Sequence, residues 1–197
     1  MDGFEKRREK KKEAILNSAL SLFKQYGYNK VTIAEIAKKA SVSQVSIYNF
    51  FESKENLKFE LIKKIMNEHY SQLIRIFHNG ESSRERFEKL LTSRIDFFKS
   101  FPSHFILETL GNDAQIRESI VRENYDKFTY VFLDFIEEGK KEGIIDDSIS
   151  RETMHTIIDI IQFYFINNPL GVQKFDNNPQ LTNEFFAFLT NAFLKKS

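Results

Sequence analysis

The sequence predicts an all-α protein with an N-terminal three-helix head, a linking helix and a helical-bundle body. Gly and Pro are scarce, at 7 and 3 of 197 residues, and residues that favour helices are abundant. Apolar residues recur at the spacing of an amphipathic helix, and no stretch alternates with the two-residue period of a strand. Cap residues and single glycines separate these apolar segments and indicate where the helices begin and end.

The first helix follows a basic segment. Residues 1–12 contain a cluster of six cations, Lys6, Arg7, Arg8, Lys10, Lys11 and Lys12. Such a run is either a disordered, solvated tail or an arm that seeks phosphates and becomes ordered on DNA, and both interpretations stay open. We expect the helix to begin within this segment and to end at Gly27. We expect its buried stripe to consist of Ile15, Ala19, Leu22, Phe23 and Tyr26.

Residues 31–51 are expected to form two short helices joined by a tight turn. Thr32 and Glu35 make a capping box, and Val31 and Ile36 lie where a hydrophobic staple packs. The inward-facing positions are Ile33, Ile36, Ala37, Ala40, Val42, Ile47 and Phe50. This spacing is typical of a helix-turn-helix, whose second helix, here residues 43–50, enters the major groove of DNA.

The outward face of that second helix carries short hydrogen-bonding side chains, which suit base edges and phosphates. Tyr48 adds a hydroxyl on a rigid ring, and Lys54 lies just past the helix, where it suits a backbone phosphate. The predicted DNA contacts are Thr32, Ser43, Gln44, Val45, Ser46, Tyr48, Asn49 and Lys54. The alternative is a helical hairpin with an ordinary solvated face.

The segment Ile15–Leu57 resembles the N-terminal DNA-binding domain of the TetR family of bacterial transcriptional regulators. The match includes Tyr26-Gly27-Tyr28, Val31-Thr32-Ile33, Ile47-Tyr48 and Ser53-Lys54-Glu55-Asn56-Leu57. Two positions depart from the family pattern. Ser41 replaces the common turn glycine, which costs on the order of 1 kcal/mol if the turn needs a positive φ. Val45 replaces a small residue of the recognition helix, where it contacts a thymine methyl or limits the approach to DNA.

A fourth helix, capped by Ser53, is expected to run to about Phe77 and to link head and body. We therefore divide the chain into a DNA-binding domain, residues 1–54, and an effector-binding and dimerisation domain, residues 55–197. Further helices are expected over residues 82–100, from Pro102 to Gly111, from Asn112 or Asp113 to Glu142, from Ser150 to Asn167, and from Asn178 to Leu194.

The last two helices are apolar around most of their circumference. A helix of that kind is either fully enclosed or shares a face with another chain. A two-fold pairing into a four-helix bundle is the simpler solution for a body of this size. The TetR resemblance also implies a homodimer formed through these helices. The predicted interface residues are Ile157, Ile161, Tyr164, Phe165, Phe185, Phe188, Leu189 and Phe193.

The chain contains 21 Phe and no Trp. An aromatic stripe at helical spacing is most often simply core, yet the resemblance implies an apolar pocket between the body helices, which suits an apolar or aromatic effector. The candidate effector contacts are Phe97, Phe101, Phe105, Phe128, Phe132, His155, Asp159 and Gln162. Asp159 alternatively belongs to the dimer interface.

The composition narrows the function further. There is no Cys, the 4 His are scattered without the spacing of a metal site, and no phosphate loop or nucleophile elbow occurs. We therefore expect no catalysis, metal or cofactor. No signal peptide or bilayer-spanning run appears, so we expect a cytoplasmic protein with no membrane partner.

Charge is divided unevenly between the two predicted domains. Residues 1–54 carry +5, from 11 Lys and Arg against 6 Asp and Glu, and residues 55–197 carry −4, from 18 against 22. Such a division fits a chain that binds nucleic acid at one end. The sequence thus predicts a homodimeric transcriptional repressor that binds a double-stranded DNA operator and is released by an unknown small-molecule effector. The alternatives are a helical protein-interaction adaptor and a DNA-binding regulator with no small-molecule ligand.

Overall fold

The structure is a computed structural model that describes residues 3–109, 116, 122–168, 171, 174–175 and 177–195. Within these residues the chain forms helices and no strand, which confirms the all-α prediction. The helices are α1 (Gly3–Tyr26), α2 (Ile33–Ala40), α3 (Gln44–Phe51), α4 (Lys54–Phe77), α5 (Ser83–Lys99), α6 (Ser103–Thr109), α7 (Arg122–Lys141), α8 (Arg151–Asn167) and α9 (Pro179–Phe193). None of these helices combines the length and apolar character that crossing a membrane requires.

The basic N-terminal segment is part of α1. The helix begins at Gly3, before the first of the clustered cations, so these cations already lie on helical backbone without DNA. The helix ends at Tyr26, and Gly27 follows with φ of +87°, a conformation that side chains with a Cβ rarely adopt. The predicted end of the first helix is therefore confirmed. Ile15, Ala19 and Phe23 are buried as predicted, whereas Tyr26 is 53% exposed, so its place in the buried stripe was wrong.

The predicted capping box forms at the start of α2. The Thr32 backbone N–H donates to Glu35 Oε2 at 2.7 Å, and the Glu35 N–H donates to Thr32 Oγ1 at 3.3 Å. Val31 and Ile36 are both buried at the positions of a hydrophobic staple. The helix ends at Ser41, whose φ of 54° and ψ of 43° are left-handed. The turn thus requires the conformation for which Gly is the usual residue.

The core side of α3 differs from the prediction at one position. Ile47 and Phe51 are fully buried, whereas Phe50 is only half-buried. Phe50 and Phe51, three and four residues after Ile47, both lie near Ile47 around the helix axis. The packing of the head buries Phe51 and leaves Phe50 on the flank. The helix also begins one residue later than predicted, because Ser43 is its N-cap.

Helix α4 runs from the head into the body without a break. Its N-cap is Ser53, whose Oγ accepts the Asn56 N–H at 2.9 Å. Near the head, Leu57 and Leu61 are buried, and near its far end Phe77 packs on aromatic rings of α7. Core residues therefore follow one another along the whole helix, and the division of the chain at residue 54 remains a prediction.

The body helices begin at the predicted caps where the structure describes them. A second capping box pairs Ser82 with Glu85, and Ser150 and Asn178 cap α8 and α9. Helix α7 ends before Gly143, which has φ of +71°. The predicted stop at Gly111 and start at Asn112 or Asp113 lie outside the described residues.

Candidate nucleic-acid interface

Four of the predicted DNA contacts share the outward face of α3. Gln44, Val45, Tyr48 and Asn49 are all exposed, Val45 by 66% and Tyr48 by 48%. Ile47 and Phe51 of the same helix are buried against the rest of the head. The core thus holds a short helix whose free face combines amide, hydroxyl and methyl groups, the groups that read base edges in the major groove.

The three predicted hydroxyl contacts lie at helix starts and take part in capping. Ser43 Oγ accepts the Ser46 N–H at 3.1 Å and lies 2.9 Å from Ser46 Oγ. Thr32 Oγ1 donates to Glu35 Oε2 at 2.8 Å. These side chains cap the starts of α2 and α3, and Ser43 and Thr32 remain exposed.

Lys54 points toward the loop that follows α1. Its Nζ donates to the Tyr28 carbonyl oxygen at 2.7 Å and lies 4.3 Å from the centroid of the Tyr28 ring. Burial lowers the pKa of the Lys54 ammonium, while the carboxylates of Glu55 and Glu108 act in the opposite direction. A phosphate contact from Lys54 would therefore compete with these intramolecular contacts.

Helix α6 contacts the head, a contact that the sequence analysis missed. Glu108 Oε2 accepts the Asn29 backbone N–H at 2.9 Å, and His104 Nε2 lies 3.0 Å from the Lys24 carbonyl oxygen. That carbonyl only accepts, so the His104 nitrogen donates. The Lys24 ammonium lies 4.9 Å from the centroid of the Phe101 ring. No local signal predicts these pairs, which are separated by about 80 residues in sequence.

The predicted effector contacts fall into three groups. Phe97, Phe101 and Phe105 form a ladder of rings from α5 to α6, with neighbouring centroids 5.2 and 5.1 Å apart. Phe128 and Phe132 of α7 are buried against the rings of Tyr70 and Phe77 on α4. His155 Nδ1 lies 3.1 Å from Asp159 Oδ2 on α8, and both side chains are about half exposed. The side chain of Gln162 lies outside the described part.

A groove of about 700 Å³ lies between α4 and α5. Of the predicted effector contacts, it includes Phe97, which stacks on the buried His69 ring at a centroid distance of 3.7 Å. Most of the residues that line it are polar, and they include Gln72, Lys89 and Asp96. The structure does not bring the eight predicted contacts together around this groove, and their role remains a prediction.

The predicted dimer-interface residues divide between the surface and the protomer's own core. Phe188 is exposed, Tyr164 is 40% exposed, and Ile157, Ile161 and Phe185 are half-buried. Leu189 and Phe193 are buried, and the Phe193 ring lies 5.9 Å from that of Phe87. Because Leu189 and Phe193 are buried within the protomer, their side chains offer little surface to a partner chain. The side chain of Phe165 lies outside the described part.

Residues 15–61 match the family model of the bacterial regulatory proteins, tetR family. The uncharacterized HTH-type transcriptional regulator YuxN of Bacillus subtilis is 33% identical over 84 residues, which are 43% of this chain and 29% of that protein. The HTH-type transcriptional repressor KstR2 of Rhodococcus jostii is 26% identical over 141 residues, 70% of this chain and 69% of that one.

The fold also resembles solved structures. The transcriptional regulator FadR from Bacillus subtilis, crystallised with stearoyl-CoA, superposes with a TM-score of 0.65 at 19% identity, over 91% of this chain and 98% of that one. The Escherichia coli regulator NemR in its reduced form superposes with a TM-score of 0.71 at 15% identity, over 93% and 97% of the two chains. Residues 15–61 therefore carry the DNA-binding head of the tetR family of bacterial regulatory proteins, and the all-helical chain agrees in fold with these solved structures.

Proposed function

We propose that this protein is a DNA-binding transcriptional repressor that acts by binding and not by catalysis. The exposed face of α3, built from Gln44, Val45, Tyr48 and Asn49 on a buried core, supports this function best. The match of the head to the tetR family and the named repressor among the relatives support it further. The cytoplasm, where the DNA is, is the compartment in which such a protein acts.

We propose that the active form is a homodimer. Large apolar side chains on α8 and α9 are exposed in the protomer: Ile160, Phe163 and Phe188, each by more than 60%. Exposed apolar patches of this kind mark interaction surfaces. A two-fold dimer presents two copies of α3, which read half-sites one helical turn, about 10 base pairs, apart.

The effector is proposed to be an apolar or aromatic small molecule. The aromatic side chains of α4 to α7 and the stearoyl-CoA bound by the FadR neighbour support an apolar ligand. Such a ligand releases the operator only to the extent that it binds the DNA-incompetent state more tightly. Release of a preformed DNA complex by acyl-CoA thioesters and aromatic compounds tests this part of the proposal.

The decisive experiment is selection of duplexes from a random pool by the full chain. We expect a pseudo-palindromic consensus, and Gln44→Ala should change the preferred base at particular positions, because a bidentate amide contact is worth about 1–3 kcal/mol of discrimination. Gln25→Ala, the same change at an exposed position of α1, is the matched control and should leave the consensus intact. A protein-interaction adaptor would select no consensus, and its binding would not fall steeply with salt.

Oligomeric state is measured separately by light scattering at micromolar protein. Phe188→Asp should shift the protein toward monomer, because it places a charge in the proposed apolar interface. Phe4→Asp, at an aromatic residue of α1 that is exposed to a similar extent, is the control and should leave the dimer intact. A monomer for the unmodified chain would contradict the dimer proposal.

A further inference from the structure

The basic beginning of α1 packs beside the last turn of α3. The Arg8 guanidinium carbon lies 5.6 Å from the centroid of the Phe50 ring, and Lys12 Nζ lies 5.9 Å from that of Phe51. Both distances are within the range of cation–π attraction. The half-buried Phe50, which the core of the head does not enclose, thus provides the surface on which Arg8 rests.

Two ion pairs hold the same part of α1 against α4. Lys12 Nζ lies 3.3 Å from Glu60 Oε2, and Lys64 Nζ lies 3.3 Å from Glu13 Oε1. Each pair is partly exposed and contributes little stability alone. Together with the two ring contacts, they hold residues 8–13 of α1 beside α3 and α4.

The Arg8 side chain keeps donors available while it lies over Phe50. The guanidinium of Arg carries five N–H donors in a planar fork that suits phosphate oxygens. Lys11 lies three residues further on, on the same side of α1, and both side chains are exposed. Phe50 lies four residues after Ser46, one of the predicted DNA contacts, and therefore on the same side of α3 as Ser46.

We propose that Arg8 and Lys11 bind the backbone phosphates at the edge of the major groove that α3 enters. This inference rests on the proposed function. The phosphates border the groove on both sides, so cations fixed beside the reading helix meet them when the helix is inserted. Their contribution is independent of base sequence and depends on salt, because each phosphate contact releases counterions.

The test compares two double variants that each remove two positive charges from α1. Arg8→Gln with Lys11→Gln removes the proposed phosphate contacts. Lys6→Gln with Lys10→Gln is the matched control, since these residues lie roughly 160° around the helix axis from Arg8. Affinity for a fluorescent duplex recovered from the random pool is measured by anisotropy over roughly 50–200 mM salt.

The slope of log affinity against log salt should become shallower by about 1.8 for the first pair, at 0.9 per phosphate contact. The control pair should change it by less than half as much. Arg8→Lys, which keeps the charge, should retain most of the slope. Lys11→Gln alone leaves the Arg8–Phe50 contact in place and should lower the slope by about 0.9.

An unchanged slope for the first pair, or equal losses for both pairs, overturns the inference, since the cations would then act as a diffuse charge or not at all. Helix content and the thermal midpoint check that each variant is folded. If the unmodified chain binds no duplex, the proposed function itself fails. If it binds with a steep slope that Arg8 and Lys11 do not affect, only this inference fails.

Discussion

Arg86 of α5 is 5% exposed and joins three helices of the body. Its Nη1 donates to the Phe77 carbonyl oxygen at 2.7 Å and to Glu138 Oε2 at 3.1 Å. Its Nη2 donates to Ser83 Oγ at 3.0 Å, and the guanidinium lies 5.1 Å from the centroid of the Phe135 ring. The Phe77 carbonyl belongs to the last turn of α4, where no intrahelical donor remains. Arg86 therefore satisfies a buried helix end.

Substitution of Arg86 by Met keeps an unbranched apolar chain and removes these hydrogen bonds. The Phe77 carbonyl and the fully buried Ser83 hydroxyl then lose a partner, and an unpaired buried polar group costs about 1–3 kcal/mol. Part of this cost is offset, because the buried Arg86 Nε itself has no hydrogen-bond partner. The Glu138 side chain is 53% exposed, so water replaces the hydrogen bonds that it loses with Arg86. We expect Arg86→Met to lower the free energy of unfolding by about 2–4 kcal/mol.

Urea denaturation at one fixed protomer concentration measures this loss, because dimer formation makes stability depend on concentration. Glu138→Gln is the control: it weakens the ion pair, leaves the bonds to Phe77 and Ser83, and should cost less than about 1 kcal/mol. If Glu138→Gln destabilises the protein as much as Arg86→Met does, the surface ion pair dominates and the argument from the buried carbonyl is wrong.

Two further predictions concern α2. Ser41→Gly should stabilise the protein by about 1 kcal/mol, because Gly adopts φ of 54° without the Cβ strain of Ser. Ser21→Gly, in the interior of α1, should act in the opposite direction in the same thermal melts, and a shared direction would contradict the turn argument. The Thr32 backbone N–H and then its hydroxyl lower the pKa of Glu35 below 4.5. The stabilisation from ionised Glu35 is therefore present above pH 4.5 and is lost as the pH falls through the lowered pKa, so the stability difference between the unmodified chain and Glu35→Gln should shrink there; a constant difference would contradict this.

Most helix starts could be predicted because caps act over three or four residues. The pairs Thr32 with Glu35 and Ser82 with Glu85 form the hydrogen bonds expected from their spacing. Gly27 follows the end of α1 for a similarly local reason, because its φ is positive and residues with a Cβ rarely adopt such a value. Local chemistry thus determined the helices of the head and the order in which they follow one another.

Which of Phe50 and Phe51 is buried could not be predicted from the local pattern of apolar residues. Adjacent residues of an eight-residue helix differ by about 100° around its axis, and two phenylalanines offer the core equally apolar side chains. Packing against the rest of the head selected Phe51 and left Phe50 for Arg8. That selection depends on residues from α1 and α4, which the pattern of α3 does not contain.

The sequence by itself determined the all-helical class and the helix-turn-helix, since each follows from spacings of a few residues, and the resemblance to the TetR family rests on the same stretch of the head. Only the tertiary structure decided the direction of Lys54 toward Tyr28, the contact of Glu108 with the head and the position of Arg8 on Phe50. The composition shows which charged and aromatic residues the chain contains, but the contacts between them form only when helices that are distant in sequence pack together.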